Sequence, residues 1–152
     1  VNAPACAPGQ RLRAAAPQDA ALLTALDRQT LGQHRPLLIA NLLDSAERFL
    51  VLEENGAPAG FACLRRFGHG YALGPVVARS AQSAKVLIGE LLSGVSGQFV
   101  RIDTDRATGL GPWLNELGLV EVDAPVTMYK GDVWQPESGG MQAFALMTQA
   151  MA

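Results

Sequence analysis

With 152 residues, the chain is long enough for one domain with its own apolar core. Its 12 Lys and Arg against 14 Asp and Glu leave a net charge of −2, which excludes a broad basic field for nucleic acid or for an anionic membrane. Hydrophobic residues make up 49% and charged residues only 17%, which excludes wholesale disorder and implies either a plain Ala/Gly-rich surface or an extra face buried against another body.

Residues 1–9, with Pro4, Pro8 and Gly9, read as a flexible leader. They lack the charged-then-apolar layout of a signal peptide, and no window reaches the ~18 uninterrupted apolar residues of a spanning helix, so a cytoplasmic protein is expected. Cys6 and Cys63 cannot staple a fold of this size and read as two free thiols in a reducing compartment.

Gln10 to Ala16 reads as a short strand. Pro17 then opens a helix, where its missing N–H costs nothing and Asp19 suits the positive dipole end. Leu22, Leu23 and Leu26 are expected to form that helix's apolar face. A second short helix is expected from Pro36 to about Leu43. Residues 49–53 and 59–64 are strand-like runs around Asn55-Gly56, a pair that favours positive φ at both central residues of a two-residue hairpin turn. After Gly68-His69-Gly70, residues 71–77 complete a three-stranded meander.

From Ser80 the period changes. Ala84, Leu87, Ile88, Leu91 and Leu92 mark one stripe of an amphipathic helix ending near Gly94. Residues 99–103 read as a strand, so strand, helix and strand here fit a βαβ crossover. A short helix from Pro112 to Leu117 is closed by Gly118. Residues 119–123 and 126–129 read as two final strands. Residues 132–140 read as a linker, and Met141, Phe144, Ala145, Met147, Thr148 and Met151 are spaced for an apolar, Met-rich terminal helix that packs on the domain or on a partner.

This order of elements resembles the GNAT acyltransferase superfamily over most of residues 10–131, carried locally by residues 74–92 and 114–119. The resemblance implies an α+β, three-layered domain: a mixed, mostly antiparallel sheet of six to seven strands flanked by helices. A closer likeness is to the C-terminal half of a subgroup with two GNAT-like halves. That likeness rests on Leu26-Asp27, the loop from Gly32 to Arg35, Gly74 to Ala78, Met128 to Gly131, and residues 145–150. It implies pairing with a second such half, or a homodimer.

The resemblance also implies a site for acetyl-CoA. The family's Arg/Gln-x-x-Gly-x-Gly/Ala loop, which wraps the pyrophosphate, corresponds to Arg79-Ser80-Ala81-Gln82-Ser83-Ala84, with Gln82 in place of the middle glycine. Together with the strand end Val76, Val77 and Ala78, these residues are the expected cofactor-binding set. Small residues between a strand and a helix N-terminus let an anion reach bare main-chain N–H groups. The tyrosine that often protonates the departing thiolate corresponds here to Leu114, so Tyr129 is the expected catalytic residue. Asp27, His34 and Arg35 border the expected acceptor side.

Other chemistries are thinly represented. His34 and His69 have no Cys or carboxylate at ligand spacing, Asp103 and Asp105 alone make a poor cation site, and no metal is expected. No nucleophile elbow or phosphate-binding Walker loop occurs. Two readings follow: an N-acetyltransferase acting on a primary amine of a small molecule or peptide, or a non-catalytic module of the same fold with a degenerate CoA site.

Overall fold

The structure is a computed structural model that describes residues 4–121 and 139–147. In chain order it has β1 (Gln10–Ala14), a 3-10 turn at Pro17–Asp19, α1 (Ala20–Leu31), α2 (Pro36–Ser45), β2 (Arg48–Glu54) and β3 (Ala57–Phe67). Then follow β4 (Gly70–Ala78), α3 (Ala81–Ser93), β5 (Val100–Ile102), a 3-10 turn at Arg106–Thr108, α4 (Gly111–Glu116) and β6 (Gln142–Ala145). The strands form one sheet in the order β1-β2-β3-β4-β5, with β6 also paired to β4. Among the described residues only β4 and β5 run parallel; every other pair is antiparallel. The expected mixed, mostly antiparallel α+β architecture is therefore what forms.

The hairpin between β2 and β3 turns at Asn55 (φ 52°) and Gly56 (φ 85°), the pair of positive dihedrals that the sequence called for. Side chains then alternate across the sheet. Phe49, Val51, Phe61, Cys63 and Val77 face α1 and α2, where Leu23, Leu26, Ile39 and Leu42 complete one core. Leu50, Leu52, Ala62, Leu64, Val76 and Ala78 face α3 and α4, where Leu87, Ile88, Leu91 and Trp113 complete the other. Ala84, Leu87, Ile88 and Leu91 are wholly buried, so the α3 stripe packs as expected. Leu22 does not join the α1 face: it is 53% exposed, because adjacent helical residues point about 100° apart and Leu23 takes the inward position. Both cysteines are free thiols, Cys6 exposed and Cys63 buried, and burial pushes the Cys63 thiol well above its ordinary pKa.

The terminal segment departs from the sequence reading. Gln142–Ala145 is a strand rather than the start of a helix, and it pairs antiparallel with β4, Val77 opposite Ala143 and Ala78 opposite Gln142. The physical reason lies in β4. Every residue of β4 is buried, yet β5 pairs only with Tyr71, Leu73 and the residue between, so the main-chain groups beyond Leu73 need another partner. That demand overrides a helical spacing. Residues 119–121 form no strand, and residues 126–129 lie outside the described residues. Among the described residues no helix is long and apolar enough to cross a membrane.

An ion-pair chain fixes the start of the fold. Arg13 grips Asp19 through two nitrogens at 2.8 and 2.9 Å, Asp19 also accepts the Ala16 N–H at 2.8 Å, and Glu53 accepts from Arg11 at 2.6 Å. The Arg13 guanidinium holds the Asp19 carboxyl below its usual range. A depressed folded pKa contributes stability above the unfolded value, and that contribution disappears as pH falls through the folded one. Urea unfolding of Asp19→Asn should therefore lose less stability between pH 7 and pH 2.5 than the parent chain does; equal losses would show that this pair is silent. Gly56→Ala should cost about 1 kcal/mol at unchanged m-value, since nothing crowds a Cβ there and the positive φ alone opposes it.

Candidate functional site

β4 delivers the chain into Arg79 and Ser80, which are exposed, and then into the first turn of α3. Ser80 is the N-cap of α3: its Oγ accepts the Ser83 N–H at 3.1 Å, and its carbonyl accepts the Ala84 N–H at 3.0 Å. The Ser83 hydroxyl is engaged in turn, accepting from Ser80 Oγ at 3.2 Å and from Gln10 Nε2 at 3.3 Å. Two serines are thus used internally. The N–H groups of Ala81 and Gln82, the first two of the helix, have no intrahelical acceptor and bond to none of the described residues. The Gln82 side chain is exposed and makes no hydrogen bond to a described residue, so it does not plug the turn.

Arg79, two residues before α3, is 49% exposed, with Glu54 Oε2 at 4.0 Å from its guanidinium. Glu54 also accepts from Gln10 Nε2 at 2.9 Å. An ion pair this long and this wet is worth little, so an incoming dianion can displace the carboxylate as a partner. Two free amides, a helix dipole and one cation suit a diphosphate.

Val76, Val77 and Ala78 sit differently from that turn. All three are buried, and both edges of β4 are paired at their level, with β3 on one side and β6 on the other. They offer no open edge. The β6 segment is anchored on both flanks. Thr104 Oγ1 donates to the Phe144 carbonyl at 2.6 Å, the Leu146 N–H donates to the Asp103 carbonyl at 2.8 Å, and Arg65 donates to the carbonyls of Met147 at 2.6 Å and Gly74 at 3.0 Å. Gly74, at φ 152°, lies so close to Leu146 that a Cβ there would strike its carbonyl oxygen.

These anchoring residues escape a reading of the sequence. A lone Arg65 late in an apolar strand, and a glycine inside one, are the only local signs. Burial lowers the Arg65 pKa, and carbonyl dipoles rather than a carboxylate satisfy it.

On the opposite face of the sheet, beside α1, an open cavity of about 720 Å³ is lined by Thr24, Ala25, Arg28, Gln29, His34 and Met141 among others. Met141 precedes Gln142, the partner of Ala78, so this cavity and the Arg79–Ala84 turn share one end of β4. Of the three residues expected on the acceptor side, only His34 lines the cavity. Asp27 is buried and clamped by Arg35 through two hydrogen bonds at 2.7 and 2.9 Å, an arrangement that ties the loop after α1 back onto that helix. Tyr129 lies outside the described residues. Tyr71 is buried at the far end of β4 under Arg66, and Leu114 is buried in the α3-side core. Asp103 is paired with Arg101, Asp105 caps the following 3-10 turn, and no cluster of three potential metal ligands occurs among the described residues.

The family described as an acetyltransferase (GNAT) domain matches residues 23–141. Among solved structures, a GNAT-family acetyltransferase from Bacillus cereus aligns at TM-score 0.65 and 17% identity, over 80% of this chain and 90% of that one. A GNAT-family acetyltransferase from Brucella melitensis in complex with acetyl-CoA aligns at TM-score 0.55 and 19% identity, over 83% of this chain and 96% of that one. YhbS from Escherichia coli in complex with CoA aligns at TM-score 0.50 and 19% identity, over 59% of this chain and 58% of that one. No curated protein matches the sequence.

The contrast between Asp27 and His34 is testable. Asp27→Ala should cost about 3–5 kcal/mol of folding stability, because it takes a buried carboxylate away from a largely buried guanidinium, whereas His34→Ala should stay within about 0.5 kcal/mol of the parent. Chemical denaturation of both variants checks this; a neutral Asp27→Ala would mean that the clamp has no structural weight.

Proposed function

The chain belongs to the GNAT acetyltransferase family, and from that premise we propose that it moves an acetyl group from acetyl-CoA to a primary amine of a small molecule or peptide, by direct attack within a ternary complex. The single observation that carries this reading is the bare pair of N–H groups at Ala81 and Gln82, with Arg79 beside them. Acetyl-CoA supplies the activated acyl group as a thioester. The amine nitrogen forms the new bond to the acyl carbon, the carbon–sulfur bond breaks, the amine gives up a proton and the thiolate takes one.

In this reading the chain's own residues chiefly bind and orient. Ala81 and Gln82 would donate to the diphosphate, and Arg79 would exchange its long contact with Glu54 for a phosphate oxygen. Ser80 and Ser83 hold the shape of the turn rather than touching the ligand, since their hydroxyls and the Ser83 N–H are already used. The acceptor would enter through the cavity beside α1, and His34, which lines it, would take up the amine proton. Tyr129 remains our candidate for protonating the thiolate, because Leu114 has no proton to give. Proximity supplies most of the acceleration in such a mechanism.

One observation favours a second reading, a non-catalytic module that pairs with another GNAT-like half: β6 closes the edge of β4 beside Val76, Val77 and Ala78. Calorimetric titration with acetyl-CoA separates the two. A dissociation constant of about 100 µM or tighter should add about 1.4 kcal/mol or more to stability at millimolar ligand. Arg79→Glu should weaken that binding at least tenfold, which is about 1.4 kcal/mol. Binding unchanged in a folded Arg79→Glu would remove the turn from the site, and no binding by the parent chain would leave the module.

A further inference from the structure

α1 turns one face toward the open cavity. Ala21, Thr24, Ala25 and Arg28 recur three and four residues apart, the spacing of one helical face, and all four line it. The two alanines project only a methyl group each, and a space of about 720 Å³ remains, the size of a small-molecule site. The ionisable groups of the lining are Arg28 and His34. Both are exposed, and neither side chain has a hydrogen bond or ion pair with a described residue. Gln29 Oε1 accepts the Met141 N–H at 3.5 Å, which leaves the Gln29 amide nitrogen free to donate. The Thr24 hydroxyl is spent on the Ala20 carbonyl at 2.7 Å. Among the described residues no carboxylate lines the cavity: Asp27, on the same helix, is buried and held by Arg35.

We infer that the acceptor is a carboxylate-bearing amine with an apolar body, of which an apolar amino acid is the simplest, and that Arg28 selects it. The inference rests on the acetyl-transfer reading above and adds the class of acceptor to it. A polyamine, or any acceptor with several positive charges, would bring them against Arg28 and meet no carboxylate in return. A plain hydrocarbon amine would leave the guanidinium unpaired at the edge of a mostly apolar space. A carboxylate answers that guanidinium with two parallel hydrogen bonds. The alanine face and Met141 then cover the apolar body. With a cation nearby and no carboxylate to hold an ammonium, the site favours the neutral amine, which is the form that attacks. The new carbon–nitrogen bond forms as the carbon–sulfur bond breaks, the amine gives up a proton and the thiolate takes one. The N-acetyl product keeps its carboxylate on Arg28 throughout.

Matched ligands separate the carboxylate from the rest of the acceptor. L-leucine, L-phenylalanine and L-tryptophan are titrated calorimetrically with and without CoA, beside isopentylamine, phenethylamine and tryptamine, the same molecules lacking the carboxylate. We expect at least one amino acid to bind about tenfold or more tighter than its amine. Its acetylation, followed as thiol released from acetyl-CoA, should show the same preference in kcat/KM. Arg28→Ala should bring the two series within about threefold of each other, with CoA affinity also within about threefold of the parent. Arg28→Lys should keep part of the preference, as a point charge without the fork. Ala25→Trp, which fills the cavity without changing its charge, should weaken both series. Amines that bind as tightly as the amino acids, or a preference that survives Arg28→Ala, would overturn the inference. CoA binding with neither series bound would overturn it and leave the CoA reading intact. Amino acids held through Arg28 by a chain that does not bind CoA would overturn the transfer reading and uphold the carboxylate site. No binding of any of these ligands would overturn both.

Discussion

The backbone of β4 is the constraint on which the molecule is organised. All nine of its residues are buried, so each of its main-chain groups needs a partner within the protein. β3 satisfies one edge along its length. The other edge is shared, β5 taking the first stretch and β6 the last. That division makes the sheet mixed, places a cleft in its centre, and aims the exit of β4 at the start of α3. The turn we assign to the diphosphate lies at that exit.

Charge and shape divide the work on the two faces. On the α3 side the chain leaves two helix-terminal amides and one half-exposed guanidinium without a strong competitor, the groups we propose for anion binding, in a protein whose net charge offers no long-range attraction. On the α1 side the cavity is mostly apolar, its polar groups being contributed by Thr24, Arg28, Gln29 and His34. Between them, three carboxylates are engaged in holding the fold: Asp19 with Arg13, Asp27 with Arg35, Asp103 with Arg101.

Local chemistry made most of the architecture legible. Asn55-Gly56 specifies its turn through dihedrals that few other pairs accept, and the stripe from Ala84 to Leu91 is a helix because only that period buries all its members. The Arg79–Ala84 stretch was also readable as the connection from a strand into a helix, with Ser80 at the helix cap. What was not readable depends on distance. The spacing of Met141, Phe144 and Ala145 fits a helix, and only the unpaired edge of β4, some sixty residues earlier, makes it a strand. Asp27 and Arg35 look like loose polar residues until the loop between them folds back. Arg65 gives no local hint that it holds two carbonyls from distant segments.

A crystal structure of the chain with CoA bound tests the central claim most directly. The bare N–H pair predicts diphosphate oxygens within about 3 Å of the Ala81 and Gln82 nitrogens, with Arg79 beside a phosphate oxygen. CoA seated elsewhere on the domain, with those two nitrogens untouched, would contradict it.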